Sequence, residues 1–586
     1  MTRSASRTAA ARGVSFSSSP VLAVKLPVWR SRVVLFALFV GFLALAGRAL
    51  WLQGLSTEFL QKQGAARYAR TLELPATRGR ITDRNGQVLA SSLPVRAIWA
   101  IPEDVQQAPR EKLLALAKLL DMSERDLNKR LDVDRSFVYL KRQVEQDITD
   151  QIVKLDINGI GTRREYKRYY PDGEVMAHVL GFTNVEDRGQ EGMELTFQKT
   201  LAGTNGSRRV IKDRLGRIVE DIESVRLPHD GKDLALSIDR KIQYIAFSAL
   251  KDAVEKHKAK AGGIVVLDAR SGEVLALANL PTYNPNDRSR LTGAQLRNRV
   301  LTDTFEPGST LKPFTAALAL EKRLVRSDTM VETAGGRLTI GRATIGDAHA
   351  HENLTVSQVI EKSSNVGTAR LALQMPAEDM WNLFTTVGFG QAPKLGFPGA
   401  VAGRVRPHKS WRPIEQATMS YGHGISTSLI QVAHSYMIFA RDGDMIPLTL
   451  QRSGDQPIGR RVISEKTARD LRLMLEAAAG PTGTAPRAQV PGYRVAGKTG
   501  TSHKLVNGRY ANKYVSSFAG FAPVSNPRII VAVMIDEPTS GGHYGGVVAA
   551  PVFASVTANA LRALNVAPDS SVTDIIIPAN PVLEST

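Results

Sequence analysis

Cysteine is absent from all 586 residues, which excludes a disulfide framework, a thiol nucleophile and any cysteine-ligated metal site. The same absence removes any clue to the redox compartment. Acidic residues are missing from positions 1–32, where Arg3, Arg7, Arg12, Lys25, Arg30 and Arg32 stand among small and polar residues. Such a stretch has too little apolar surface to fold and reads as a disordered basic tail. Helix-turn-helix, zinc-finger and RNA-binding signatures are lacking throughout, and no internal repeat is apparent. The formal charge of +20 therefore gives no ground for nucleic acid as a partner; a polyanionic wall or a membrane face suits it as well.

One long apolar run is present. Val33 to Gly47 carries no charge, and Arg48 with Ala-Leu-Trp-Leu continues it to residue 52. Residues 33–52 have the length needed to cross a bilayer, about 20 residues. Arg48 can snorkel to the interface, with Trp51 in the aromatic belt. Ala44-Leu45-Ala46 resembles a signal-peptide cleavage site, and a buried core helix is a further reading. The long basic tail and the extension to Leu52 favour an uncleaved anchor with the N-terminus in the cytoplasm.

Residues 53–70 read as polar and helical. Asn85-Gly86, between short β-favouring runs, predicts a hairpin. Residues 107–132 predict two amphipathic helices, the second capped by Ser123. No catalytic constellation stands out before residue 230, so this stretch reads as a pedestal. Leu234 to Asp239 alternates like a strand, Arg240 to Val254 looks helical, and Ile264–Asp268 with Glu273–Ala278 form a second hairpin. From about Pro568 the chain is expected to extend loosely along the surface.

Three short motifs follow in order. Glu306-Pro307-Gly308-Ser309-Thr310-Leu311-Lys312 sets a serine and a lysine three apart behind a Pro-Gly turn that opens into a helix. Residues at i and i+3 share a helix face, so the amine can reach the hydroxyl. Serine needs such an adjacent base to act as a nucleophile, and lysine serves only if burial or a second cation lowers its pKa. The helix N-terminus favours developing negative charge. Ser363-Ser364-Asn365 closes a helical run from Val356, and Lys498-Thr499-Gly500-Thr501 lies in an extended run. Gly500 would let a substrate backbone approach the strand edge. Alone, each motif also reads as an ordinary solvated helix face, a helix cap or an edge strand; the ordered triplet in one α/β domain is the signal.

With these residues in view, the chain resembles the class B penicillin-binding proteins, most closely the division-specific peptidoglycan D,D-transpeptidases of the FtsI type. Further support comes from Arg78-Gly79 to Asn85-Gly86, Tyr170-Pro171 to Glu194, and Pro281 to Asn286. Tyr421-Gly422-His423-Gly424 with Gln431, and Tyr544-Gly-Gly546 with Ala550 to Phe553, add to it. The fold implied is a multidomain α/β (α+β) one. It has a basic tail at 1–32, a transmembrane anchor at 33–52 and a mixed pedestal or dimerisation-type domain at 53–231. A transpeptidase domain at 232–566, with a mainly antiparallel sheet flanked by helices, and a tail at 567–586 complete it.

The resemblance also implies roles. Ser309 would be acylated by a D-Ala-D-Ala stem pentapeptide, Lys312 would take its proton, and Ser363 would relay a proton to the leaving amine. Asn365 would orient Lys312 and the substrate amide. Lys498, Thr499, Gly500 and Thr501 would hold the substrate, Lys498 also lowering the pKa of Lys312. The Ser309 and Thr501 N–H groups would form the oxyanion hole. No metal or cofactor is implied; β-lactams, the inner membrane, an FtsW-type glycosyltransferase and other division proteins are the expected partners, at the septum. An E-D-x-x-F stretch before residue 232 would mark a bifunctional relative, and an E-x-x-L-N loop between Asn365 and Lys498 a class A β-lactamase; neither occurs. An elongation-type transpeptidase, a D,D-carboxypeptidase and a non-catalytic scaffold remain as alternatives.

Overall fold

The computed structural model describes residues 27–55, 69–133, 135–212, 218–454, 457–571 and 575–578. Contacts divide the chain into two units, the first holding residues up to Leu74 with Ser207–Leu227 and the second the remainder. In the first unit, helix α1 runs Val28–Leu50 and passes into a π-helical turn, Trp51–Leu55. Its start lies five residues ahead of the expected position, because Val28 to Arg32 continue the helix back to Pro27, which caps it. No α1 side chain is buried, as suits a helix whose apolar surface faces lipid. The Arg48 guanidinium lies 4.7 Å from the Trp51 ring centroid. The expected polar helix at 53–70 is replaced at its end by a strand, Ala69–Leu74, in a three-stranded sheet with Gly206–Lys212 and Ile218–Arg226. Most of that expected helix, and the basic tail up to residue 26, lie outside the described residues.

The second unit opens with the expected hairpin. Strand β1 (Ile81–Thr82) pairs antiparallel with β2 (Val88–Ala100), and Gly86 in the turn has φ +83°, a conformation glycine adopts freely. Helices α2 (Arg110–Leu119) and α3 (Glu124–Leu131) follow, and the Ser123 hydroxyl caps α3 by accepting the Asp126 N–H at 3.1 Å. Strands β3 (Val138–Val144) and β4 (Ile160–Tyr169) flank β2 on either side. Leu116, Leu120, Leu127, Leu131 and Ile152 fill the core beside them.

Two sequence-distant arginines converge on one buried carboxylate here. Arg78 Nε and Arg168 Nε each donate to Glu194 at 2.6 Å, and Arg78 also donates to the Gln198 amide oxygen at 2.8 Å. All three charged side chains are buried, so removing the carboxylate would leave two guanidiniums uncompensated, a loss of about 3–5 kcal/mol. This gives Arg78 and Glu194, which bound two of the stretches that carry the family resemblance, a structural role.

The expected strand at Leu234–Asp239 shortens to β5, Leu234–Ala235, parallel to β1. Asp239 caps a helix instead. Its carboxylate accepts the Lys241 and Ile242 N–H groups at 3.0 and 3.1 Å, starting helix α4 (Arg240–Lys256). Beyond α4 lie β6 (Ala261–Asp268), β7 (Val274–Leu280), α5 (Lys312–Glu321), α6 (Val356–Glu361), α7 (Asn365–Leu373), α8 (Glu465–Ala479), β8 (Ala496–Val506), β9 (Arg509–Ala522), β10 (Ile529–Asp536) and α9 (Ala550–Ala563).

The central sheet has the order β7-β6-β10-β9-β8, antiparallel throughout. Its inner strands are covered on both faces, which is why they read as continuous apolar runs. In β10, Ile529, Val531, Val533 and Ile535 join a core shared with α4 and α9. Ile530, Ala532 and Met534 point the other way, into the core shared with α5 and α8. Strand β8 ends the sheet, with one edge unpaired among the described strands. The chain after residue 568 is pinned at its start: Asp569 accepts the Arg494 N–H at 2.8 Å, and the Ile576 carbonyl accepts from Gln489 at 2.9 Å.

Candidate active site

Ser309 sits in a 3-10 turn, Gly308–Leu311, that tightens into α5 at Lys312. The sequence leads from the Pro-Gly turn straight into the helix; the structure inserts this 3-10 turn between them. Pro313 falls in the first turn, where its missing N–H leaves no bond unmade. Gly308 has φ +55°, and Gly422, at φ +92°, packs so closely that a Cβ would overlap the Gly308 backbone. Helix α5 is apolar nearly all round because it is buried: the Phe314 ring lies 5.0 Å from Phe439, 5.6 Å from Phe389 and 5.8 Å from Tyr436. The Tyr436 hydroxyl donates to the Thr310 carbonyl at 2.9 Å, fixing the turn from below.

Lys312 is fully buried and Ser309 nearly so. Lys312 Nζ donates to Ser363 Oγ at 3.0 Å and to the Ser363 carbonyl, and Ser363 Oγ donates to Ser309 Oγ at 3.0 Å. The first two motifs thus form one continuous hydrogen-bonded chain. Ser363 occupies the loop between α6 and α7 with φ +60°, an uncommon conformation for a residue with a Cβ. Asp347 supports that loop: it accepts the Ser364 hydroxyl at 2.5 Å and the Val366 N–H at 2.9 Å. Ser364 caps α7 by accepting the Gly367 N–H at 2.8 Å. The Asn365 amide donates to the Gly346 carbonyl at 3.1 Å.

The third motif lies on β8. Lys498 Nζ is fully buried and donates to Thr499 Oγ1 at 3.0 Å and Thr484 Oγ1 at 3.3 Å, with the two threonine hydroxyls 2.9 Å apart. Thr501 Oγ1 accepts the Gly545 N–H at 3.0 Å. Gly500 is also required by the protein's own packing. A Cβ there would lie 2.5 Å from Ser517 Oγ and 2.8 Å from the Pro307 carbonyl, so glycine lets the serine-bearing turn dock against β8.

Several residues at the site give no usable signal in the sequence. Thr484 and Asp347 belong to irregular polar stretches, where no periodicity marks them. Glu306 stands out only for its place before Pro-Gly. Its carboxylate accepts the Gly424 N–H at 2.9 Å and the Tyr510 hydroxyl at 3.0 Å. Burial and the Glu306 charge push the Tyr510 phenol up to about 12. Burial pushes the His423 imidazole down, Lys312 and His503 add to that, and Glu306 opposes it.

Such an arrangement can activate a serine hydroxyl and pass a proton through a second hydroxyl to a leaving group. Comparison with known proteins points the same way. The penicillin binding protein transpeptidase domain matches residues 262–558, and the penicillin-binding protein dimerisation domain matches 73–236. A probable peptidoglycan D,D-transpeptidase PenA of Neisseria gonorrhoeae is 43% identical over 93% of this chain and 94% of its own. The peptidoglycan D,D-transpeptidase FtsI of Escherichia coli is 41% identical over 93% of both. Among solved structures, the TP domain of penicillin-binding protein 3 from Burkholderia pseudomallei is 53% identical, with a TM-score of 0.54, and covers 57% of this chain and 98% of that one. A peptidoglycan synthetase from Bifidobacterium adolescentis is 27% identical over 87% of this chain and 99% of that one, with a TM-score of 0.68. The chain belongs to the penicillin-binding proteins, as a class B member of the FtsI type.

Proposed function

We propose that this protein is a serine D,D-transpeptidase that cross-links peptidoglycan stem peptides during septal wall synthesis, held in the inner membrane by α1. The observation that carries this reading is the buried chain from Lys312 through Ser363 to Ser309, with both side-chain links at 3.0 Å. Ser309 Oγ attacks the carbonyl of the penultimate D-Ala while Lys312 takes its proton. The oxyanion that forms accepts the Ser309 and Thr501 N–H groups, each worth about 3–4 kcal/mol to the transition state. As the C–N bond breaks, Ser363 passes a proton to the departing amine and is re-protonated from Lys312. The terminal D-Ala leaves, its carboxylate having been held by Lys498 and Thr499. An amine of a neighbouring stem peptide then attacks the acyl-Ser309 ester, forming the cross-link and freeing the serine. Asn365 orients the substrate amide.

In this reading the N-terminal tail is cytoplasmic and the catalytic domain periplasmic. The domain limits are those read from the sequence, with the pedestal at 53–231 and the transpeptidase domain at 232–566. An FtsW-type glycosyltransferase would be met by the membrane helix and the pedestal.

The test is intact mass before and after brief exposure to benzylpenicillin, with peptide mapping. A single lasting adduct on the Ser309 peptide, absent from Ser309→Ala, is expected. Well-folded protein that takes no adduct would overturn the catalytic assignment.

A further inference from the structure

Helix α4 ends against the chain that leaves β10, through a residue the proposed mechanism does not use. Its buried face, Ile242, Ala246, Phe247, Leu250 and Ala253, is locked into the core shared with β10 and α9. At its C-terminal end the His257 N–H donates to the Ala253 carbonyl at 3.0 Å, and His257 itself is buried. A side chain held this way on a packed helix is a rigid anchor.

What it anchors is the loop between β10 and α9. The His257 carbonyl accepts the Thr539 and Ser540 N–H groups at 2.9 and 3.0 Å, and the Thr539 hydroxyl donates to the Lys258 carbonyl at 3.0 Å. The ring adds a further link, His257 Nδ1 lying 2.8 Å from the Ser540 carbonyl. A carbonyl only accepts, so Nδ1 carries the proton and donates it. Ser540 is the last residue before Gly541 and Gly542, at φ +76° and +101°, where the backbone has little stiffness of its own. Gly541 also faces the ring: a Cβ there would lie 3.2 Å from Nδ1.

Beyond the two glycines the loop meets the third motif. The His543 carbonyl accepts the Ser516 hydroxyl of β9 at 2.5 Å, and the Gly545 N–H donates to Thr501 Oγ1 at 3.0 Å. A Cβ on Gly546 would lie 2.2 Å from the Thr484 carbonyl and 3.5 Å from Thr499 Cγ2. Thr484 and Thr499 supply the two hydroxyls that accept from Lys498 Nζ. Resting on the transpeptidase reading, we infer that His257 is a positioning residue: its Nδ1–H fixes Ser540, and so sets residues 539–546 against Thr484, Thr499 and Thr501. It acts on the grip on the donor's terminal carboxylate and not on the attack. The β8 backbone is paired with β9 whatever the loop does, so the Thr501 N–H keeps its place. Lys312, Ser363 and Ser309 are linked to one another from other elements.

The test is the kinetics of acylation by a fluorescent penicillin, which also carries a carboxylate, using the full-length chain in detergent with rates read per folded protein. His257→Leu should raise the half-saturating penicillin concentration about fivefold, the fold-change of one net hydrogen bond, and leave the saturated rate within about twofold. His257→Asn, whose amide nitrogen stands where Nδ1 does, should return the concentration to within about twofold of wild type. His257→Gln, whose amide nitrogen stands nearer Nε2, should behave as His257→Leu does. Phe247→Leu, a core change in the same helix, should lower the melting temperature and leave both constants unchanged. Wild-type constants in folded His257→Leu, equal values for the Asn and Gln variants, or the same loss in Phe247→Leu would each overturn the inference. Should His257→Leu not fold, the Asn and Gln pair decides alone. Failure of the wild type to label at Ser309 would instead sink the transpeptidase reading beneath it.

Discussion

At the scale of single residues, the site works by taking polar groups out of water and giving each a partner. Ser363 is the middle link, and its φ of +60° is imposed by Asp347 and the cap of α7. In the proposed mechanism Ser363→Ala removes the relay, and with it one of the acceptors of the buried Lys312 amine. Acylation by a fluorescent penicillin should slow about 100-fold or more, the scale of a lost general acid–base group. The melting temperature, measured alongside, should shift little by comparison, since Lys312 keeps the Ser363 carbonyl. A rate within a few-fold of wild type would remove Ser363 from the mechanism. Away from the site, burial pushes the Asp187 carboxyl up to about 6, against the pull of Arg78 and Arg168. Between its ordinary value of 3.8 and about 6 the folded state therefore binds more protons than the unfolded one. Stability from this group is full at low pH and is lost as pH rises through about 6. Asp187→Asn should abolish that slope, and urea unfolding at pH 4.5 and 7 should show a differential of the order of 2 kcal/mol, reduced from the full shift by partial exposure.

At the scale of elements, what the sequence disclosed and what it hid divide by the range of the interaction. The hairpin at Asn85-Gly86, the Ser123 cap and the β6–β7 hairpin are set by neighbours in the chain, and their residues announce them. So is the spacing of Ser309 and Lys312. The shortened β5 is hidden because alternation from Leu234 to Asp239 cannot show that Asp239 leaves the ladder to cap α4. The partners Thr484, Asp347 and Tyr510 are hidden because each arrives from a different part of the chain. The packing role of Gly500 against the Ser309 turn is hidden for the same reason, since a neighbour remote in sequence is invisible to a local reading. The contact between Gly308 and Gly422 is of the same long-range kind. Gly422→Ala would place a Cβ on a backbone at φ +92° and against the Gly308 main chain, which no side-chain rotation relieves. The turn carrying Ser309 must then shift, so acylation should fall at least about tenfold, the scale on which misplaced reacting groups lose rate. Gly424→Ala makes a useful contrast. It shares the positive φ, but its nearest neighbour is the flexible Met419 side chain at 3.7 Å. Equal losses in the two variants would point to backbone strain alone.

At the scale of the whole molecule, the chain carries one apolar helix, a mixed pedestal and a transpeptidase sheet domain, and the proposed function puts that domain's substrate, a wall polymer, outside the cytoplasm. That assignment requires the chain to cross the membrane in one sense only. Six Lys and Arg residues and no acid precede the uncharged stretch that starts at Val33, and two of them, Arg30 and Arg32, lie within α1 itself at its N-terminal end. At the other end Arg48 rests on Trp51, an interfacial pairing suited to either face. The bias of basic residues therefore predicts the orientation, with the N-terminus in the cytoplasm. A reporter active only in the cytoplasm should work when fused at residue 20, and one active only in the periplasm should work when fused after residue 571. Replacing Arg3, Arg7, Arg12, Lys25, Arg30 and Arg32 by Gln should lower the fraction correctly inserted while leaving penicillin labelling of purified protein unchanged, because all six precede the uncharged stretch of the membrane span and the transpeptidase domain in sequence. Periplasmic activity from the residue-20 fusion would reverse the orientation and, with it, the access of Ser309 to the wall.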